Sequence, residues 1–130
     1  MSVKQKGING ERELIHKFWE NGWAAVRVAG SGSSRYPSPD IVAANISRKL
    51  AVESKVTKED RKYFSSEDLN QLIEFSEKFG AEPWLAVKFS SAGWFFLPPA
   101  EIEQTKGGFV FSLELAKTKG FEFKELLNQF

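Results

Sequence analysis

The sequence contains no cysteine, only one histidine, and no apolar run long enough to cross a membrane. The absence of cysteine excludes disulfides and cysteine-bound zinc. The single histidine, His16, has no partner motif, and we expect it on the surface. The first residues include no apolar run that could serve as a signal peptide, so we expect a cytoplasmic protein without a membrane partner.

The composition is that of an ordinary globular protein, with 42% hydrophobic and 27% charged residues in 130 positions. This length favours one domain spanning residues 1–130. The net charge of +1 does not point to nucleic acid, but residues 1–62 hold 12 Lys and Arg against 7 Asp and Glu, whereas residues 63–130 hold 6 against 10. The excess of positive charge in residues 1–62 favours phosphate binding by this half of the chain. Chance variation over a mixed surface explains the charge pattern equally well.

The most informative pattern is Pro39-Asp40 followed by Glu53-Ser54-Lys55, in which Glu53 comes thirteen positions after Asp40. The intervening sequence predicts a β-hairpin, and the strand period of two places Glu53 and Lys55 on one face. Two carboxylates with few other ligands suit Mg²⁺. A lysine beside that metal could orient water or stabilise charge on a phosphoryl group. The alternative is an ordinary ion pair on a strand face.

The first predicted helix, residues 7–21, carries a carboxylate on its apolar stripe. Glu11 lies between Ile8 and Leu14, whereas Glu13 lies off the stripe and is expected to be solvated. A core-facing carboxylate is costly unless it meets a cation, a metal or hydrogen-bond donors. Glu11 is therefore a third candidate acid, and a stripe-edge glutamate that reaches water is the alternative.

Basic residues that could contact phosphates lie around this pattern. The Gly/Ser-rich loop 30–38 leads directly to Asp40 and is either a flexible connection or a substrate-contacting loop. The polar segment 57–66 is a connection or a short helix that could face DNA. The candidate phosphate contacts are Arg27, Arg35, Lys58 and Lys88, and for Arg27 and Lys88 an ordinary surface position is the alternative.

The remaining pattern predicts an α/β fold. A second helix begins near Ser65 and ends at Gly80, with Phe79 on its core stripe and Phe75 beside it. This broad apolar face indicates either a wide core contact or a helix shared with a second subunit. The other predicted elements are strands at 23–29, 40–44, 50–56, 83–89, 93–97 and 109–112, a helical turn at 100–104 and a terminal helix at 121–130.

These stretches together resemble the PD-(D/E)XK nuclease superfamily, whose restriction-endonuclease-like fold has a central mixed β-sheet flanked by helices. They resemble the archaeal Holliday junction resolvases more closely. The resemblance covers roughly the first three quarters of the chain. The matching stretches are residues 6–15, 27–31, 39–43, 52–57, 72–76, 85–89 and 93–94.

The resemblance implies a homodimer that places two active sites across a four-way DNA junction and makes paired, symmetric incisions. It also implies metal-assisted phosphodiester hydrolysis with Mg²⁺, for which Mn²⁺ can substitute. Glu11, Asp40 and Glu53 match the acidic motif residues, and Lys55 matches the motif lysine. The other matches are Arg12 and Arg27 at basic positions, Phe75 and Phe79 at dimer-helix positions, and Ser31 in a loop that supplies a catalytic serine in some members. Ser54 departs from the family, which usually has an aliphatic residue there, and we expect this to affect packing rather than activity.

In the expected mechanism, Asp40 and Glu53 bind Mg²⁺ directly, helped by the Ser54 carbonyl. Glu11 ligates the metal or holds a bound water, and Lys55 orients the attacking water and stabilises the developing charge. Recognition is expected to depend on phosphate positions and junction shape, so binding should weaken with added salt. The rival hypotheses are another nuclease of this fold, of restriction or repair type, and a catalytically silent DNA-binding subunit.

Overall fold

The computed structural model describes residues 2–30 and 35–129, in which α-helices flank a central five-stranded sheet. The predicted α/β fold with a mixed sheet is confirmed. None of the helices in this part of the chain is long and apolar enough to cross a bilayer. The elements are α1 Val3–Glu20, β1 Ala24–Arg27, β2 Ile41–Ala44, β3 Lys49–Thr57, β4 Arg61–Phe64, α2 Ser66–Phe79, β5 Glu82–Phe89, β6 Gly93–Leu97, a 3₁₀ turn Pro99–Glu101, β7 Glu103–Thr105, β8 Gly108–Ser112, α3 Leu113–Lys119 and α4 Phe123–Leu127.

The central sheet has the strand order β1-β2-β3-β5-β6. Only the central pair, β3 with β5, is parallel, and the other neighbours are antiparallel. The predicted hairpin therefore forms as β2 and β3, joined by a turn at residues 45–48. Alternate residues of β3 enter two separate hydrophobic clusters, with Leu50 and Val52 on the first face of the sheet and Ala51 on the second.

Helix α1 packs on the first face of the sheet. The Ser2 side chain caps it by accepting a hydrogen bond from the Gln5 N–H, and Leu14 and Phe18 are fully buried. A Cβ atom at Gly10 would lie 2.7 Å from a methyl carbon of Val56. Glycine therefore permits the close approach that brings the next residue, Glu11, over the sheet.

The first face also holds the C-terminal helix through a buried arginine. Arg48 forms two hydrogen bonds, of 2.8 and 2.9 Å, with the Glu82 carboxylate and donates another, of 2.8 Å, to the Leu126 carbonyl. Its guanidinium also lies over the Trp23 ring. Because a buried arginine must have its charge and donors satisfied, this set of contacts fixes α4 against the sheet.

Helix α2 covers the second face. Ser65 and Asp68 form a capping box at its start, and Gly80, with φ +78°, ends it. Leu69 and Leu72 are buried as the apolar spacing predicts. Phe79 is 46% exposed, so the prediction that it belongs to the core stripe is wrong; the buried stripe of the helix ends at Ser76, which is 2% exposed.

The prediction for residues 57–66 is also wrong, because this segment contains β4. Only Phe64 of β4 is buried, so the sequence of this strand does not show the alternation of apolar and polar residues that predicts a strand. It belongs to a second sheet, ordered β4-β8-β7, of which only β8 was predicted. Helix α3 was not predicted, and the terminal helix is shorter than expected, at Phe123–Leu127.

Candidate active site

The pairing of β2 with β3 brings the two motif carboxylates together. Ile41 lies opposite Val52, so Asp40, one residue before β2, lies opposite Glu53. The Asp40 N–H donates to the Val52 carbonyl at 3.0 Å, and one carboxylate oxygen of Asp40 accepts from the Ser54 N–H at 2.9 Å. The backbone of β3 therefore fixes the Asp40 carboxylate beside the Glu-Ser-Lys motif.

Glu53 lies in a region of concentrated negative charge. Burial raises its pKa to about 8, with further contributions from the charges of Asp40, Asp68 and Glu11 that outweigh the opposing effect of Lys55. A carboxyl group with this pKa is largely protonated near neutral pH. A cation that neutralised the neighbouring carboxylates would favour its ionised form.

Lys55 points toward the start of α2. Its ammonium nitrogen lies 3.8 Å from a carboxylate oxygen of Asp68 and 5.2 Å from the centre of the Phe64 ring. The sequence places Asp68 in the first turn of a helix but gives no local indication that it meets Lys55. That contact depends on how β4 returns the chain to the sheet.

Glu11 reaches the same region from the other face of the sheet. Its carboxylate accepts a 2.6 Å hydrogen bond from Arg27, and only 15% of its side chain is exposed. Burial raises the pKa of Glu11, the Arg27 hydrogen bond opposes this, and the charge of Asp40 adds to it. The core-facing glutamate predicted from the apolar stripe has thus met a cation, and the water-exposed alternative does not apply.

The candidate phosphate contacts divide into two groups. Arg12, Arg35 and Lys58 are exposed, and Arg35 lies over the Tyr36 ring. Arg27 and Lys88 instead form ion pairs within the protein, Lys88 with Glu13 at 2.7 Å. Ser31 lies outside the described residues.

Glu13, which is expected to be solvated from its position off the stripe, is 39% exposed but also has two partners within the protein. Its carboxylate accepts hydrogen bonds from Lys88 and from the Trp94 indole, the latter at 2.9 Å. Burial acts to raise the pKa of Glu13, but these two donors and the charge of Lys88 lower it. Both partners lie at least 75 positions away along the chain, so no local pattern could indicate them.

An apolar patch lies on the outer side of α2. The Phe75 and Phe79 rings stack with their centres 5.0 Å apart. Tyr36, which is 70% exposed, lines the same depression. We refer to Tyr36, Phe75 and Phe79 as the Phe75 patch.

Asp40 and Glu53 fit a hard divalent cation. Nowhere in residues 2–30 and 35–129 do three acidic or histidine side chains already form a metal cluster. Mg²⁺, however, usually binds through one or two carboxylates and keeps several waters. Two opposed carboxylates among an excess of negative charge meet that requirement.

The chain is similar to one family over almost its whole length. Residues 2–130 match the model of the family described as archaeal Holliday junction resolvase (Hjc). Crossover junction endodeoxyribonuclease Hjc of Archaeoglobus fulgidus is 41% identical over 130 residues, covering 95% of this chain and 96% of that protein. The protein of the same name from Sulfolobus acidocaldarius is 34% identical, covering 98% and 90%. A solved structure of Archaeoglobus fulgidus Hjc, a Holliday junction resolvase, is similar with a TM-score of 0.86 at 40% identity, covering 92% of this chain and 98% of that one.

The raised pKa of Glu53 predicts a pH-dependent gain in stability when its charge is removed. In metal-free protein, Glu53→Gln should have little effect at pH 4.5 and should increase the free energy of unfolding progressively up to about pH 8. The sign follows because the folded-state pKa lies above the ordinary value of 4.5, so ionisation opposes folding across this window. The gain should reach on the order of a few kcal/mol at pH 9.

Urea unfolding in EDTA at pH 5, 7 and 9 measures this effect. Glu77→Gln is the matched control, because Glu77 is an exposed residue of α2. Its effect should be small and independent of pH. An equally flat difference for Glu53→Gln would contradict the account of this site.

Proposed function

Because the chain belongs to the archaeal Holliday junction resolvase family, it is a crossover junction endonuclease, and we propose that it works as a Mg²⁺-dependent homodimer. The observation that carries the proposed chemistry is the position of Asp40 opposite Glu53, with Lys55 two residues further along β3. Because an enzyme that acts on DNA junctions must reach DNA, we also propose a cytoplasmic location.

Asp40 and Glu53 would hold the Mg²⁺ ion, with the Ser54 carbonyl as a further oxygen ligand. When bound, Mg²⁺ supplies positive charge beside the scissile phosphate and lowers the pKa of a coordinated water; Mn²⁺, which takes similar oxygen ligands, would serve in its place. Glu11, fixed by Arg27, would accept a hydrogen bond from a water at the edge of the site.

Lys55 would stabilise the negative charge that develops on the phosphoryl oxygens. Its side chain is 26% exposed, so the ammonium group can reach a bound backbone without leaving its position beside Asp68. Fixed positive charge at the point where negative charge develops is an effective source of catalysis.

DNA would be held mainly through its phosphates. Arg12, Arg35 and Lys58 are exposed and can contact a backbone directly. Arg27 and Lys88 would contribute less, because each already pairs with a glutamate. Contacts of this kind fix position and shape rather than base sequence, as a structure-selective nuclease requires. Ser31 stays a predicted contact from the family resemblance alone.

The Phe75 patch is the proposed dimer contact. The exposed Phe79 ring stacks on the half-buried Phe75 ring, and aromatic side chains of this kind are enriched at protein interfaces. Val26, which is 60% exposed, lies on the same face of the sheet as α2. It lies opposite Val42, and Val42 lies opposite Ala51, which belongs to the hydrophobic cluster under α2. Two copies related by a twofold axis would bury this surface and present two active sites, which supports paired symmetric incisions.

Asp40→Asn should abolish cleavage of a synthetic four-way junction without weakening junction binding. Asparagine keeps an oxygen that can accept from the Ser54 N–H but lacks the charge that Mg²⁺ needs. We expect the single-turnover rate constant to fall by roughly 10³-fold, while the Kd measured with Ca²⁺ stays at the wild-type value or decreases.

The control for this variant is Asp60→Asn, since Asp60 is exposed and pairs only with its neighbour Arg61 among the ion pairs found in the described residues. It should cut at the wild-type rate. Wild-type cleavage by Asp40→Asn would remove Asp40 from the metal site.

Phe75→Asp should convert the dimer to a monomer, because it places a charge in the centre of an apolar interface. Sedimentation velocity would detect the change. Tyr63→Asp is the control, as Tyr63 is an aromatic residue that is 55% exposed but lies on β4 outside the patch. If Phe75→Asp and wild-type protein sedimented as the same dimer, α2 would not form the interface.

A further inference from the structure

The ammonium group of Lys55 is held by two residues that lie outside the motif. Asp68 lies at 3.8 Å on one side, and the Phe64 ring centre lies at 5.2 Å. Within the described residues, no ion pair joins Lys55 to Glu53, although both project from the same face of β3. The lysine charge is thus directed toward the start of α2.

Asp68 is itself fixed by the cap of that helix. The carboxylate oxygen that faces Lys55 accepts a 3.2 Å hydrogen bond from the Ser65 N–H. The Ser65 hydroxyl in turn accepts from the Asp68 N–H at 3.0 Å. The bond from the Ser65 backbone N–H holds the carboxylate in one orientation whether or not Lys55 is present, whereas the hydroxyl bond caps the helix backbone and does not touch the carboxylate.

A lysine in a hydrolytic site needs this kind of support. Its long side chain has high conformational entropy, and a nearby glutamate, once ionised, is an alternative partner for its charge. If Lys55 paired with Glu53, it would neutralise a carboxylate that should bind metal. A separation of 3.8 Å exceeds a direct hydrogen bond, so Asp68 attracts Lys55 while leaving its N–H donors available to a phosphate.

We propose that Asp68 is a positioning residue, which holds the Lys55 ammonium beside the scissile phosphate and away from the Glu53 carboxylate. This inference rests on the proposed function. It makes the first turn of α2 part of the catalytic apparatus, although Asp68 itself touches neither substrate nor metal. The Glu-Ser-Lys motif does not indicate the contact between Lys55 and Asp68, because Asp68 comes thirteen positions after Lys55.

The test is single-turnover cleavage of a four-way junction in Mg²⁺ by full-length wild-type protein, Asp68→Asn and Ser65→Ala. Asparagine can still accept the Ser65 N–H, so Asp68→Asn retains that half of the cap and removes only the charge. Ser65→Ala keeps the carboxylate and removes the hydroxyl half of the cap. Thermal melting establishes that each variant is folded at the assay temperature.

We expect Asp68→Asn to lower the cleavage rate constant by about tenfold with an unchanged junction Kd. Ser65→Ala should reduce the melting temperature by a few degrees but keep the rate within about twofold of wild type. A purely structural role would give the opposite order, with the rate following the melting temperature in both variants.

Three outcomes would overturn the inference. They are a wild-type rate for Asp68→Asn, an equal loss of rate in Ser65→Ala, and a faster rate for Asp68→Asn, which would mean that Asp68 acts only as an additional negative charge near Glu53. Failure of the wild-type protein to cut the junction would instead refute the proposed function, so the two failures are distinguishable.

Discussion

Two carboxylates face each other across the antiparallel β2–β3 pair, and the rest of the site is arranged around the resulting repulsion. The strand register places Asp40 opposite Glu53, and the Ser54 N–H fixes Asp40 there. Burial and the surrounding acids raise the pKa of Glu53 to about 8. This region therefore favours a proton or a cation over two bare carboxylates. An arrangement of like charges that lowers the stability of the fold is characteristic of functional sites.

The helices on the two faces of the sheet each bring one acid to this region, and each acid is paired with a base from the sheet. Helix α1 brings Glu11, which binds Arg27 of β1, and α2 brings Asp68, which attracts Lys55 of β3. The pairs limit the repulsion without neutralising Glu53. Because the outer side of α2 carries the Phe75 patch, one helix links the proposed dimer contact to the lysine.

Elements and partners could be predicted from the sequence wherever the pattern that indicates them lies within a short stretch of the chain. Apolar spacing and caps predicted α1 and α2, and the position of Glu11 on the apolar stripe made a cationic partner one of its two expected environments; Arg27 is that partner. Strand β4 was missed because only Phe64 of it enters the core. The partners of Glu13 and Asp68 could not be predicted, since these contacts depend on how distant elements meet. Arg48 was missed for the same reason: its partners, Glu82 and Leu126, lie 34 and 78 positions away.

The most direct test of the central claim is Mg²⁺-dependent cleavage of an end-labelled four-way junction, with a linear duplex of the same sequence beside it and the incision positions mapped. The account predicts paired incisions at symmetric positions in two opposing strands, full loss of cleavage in EDTA, and little cleavage of the duplex. Equal cleavage of junction and duplex, or cleavage that persists in EDTA, would contradict it.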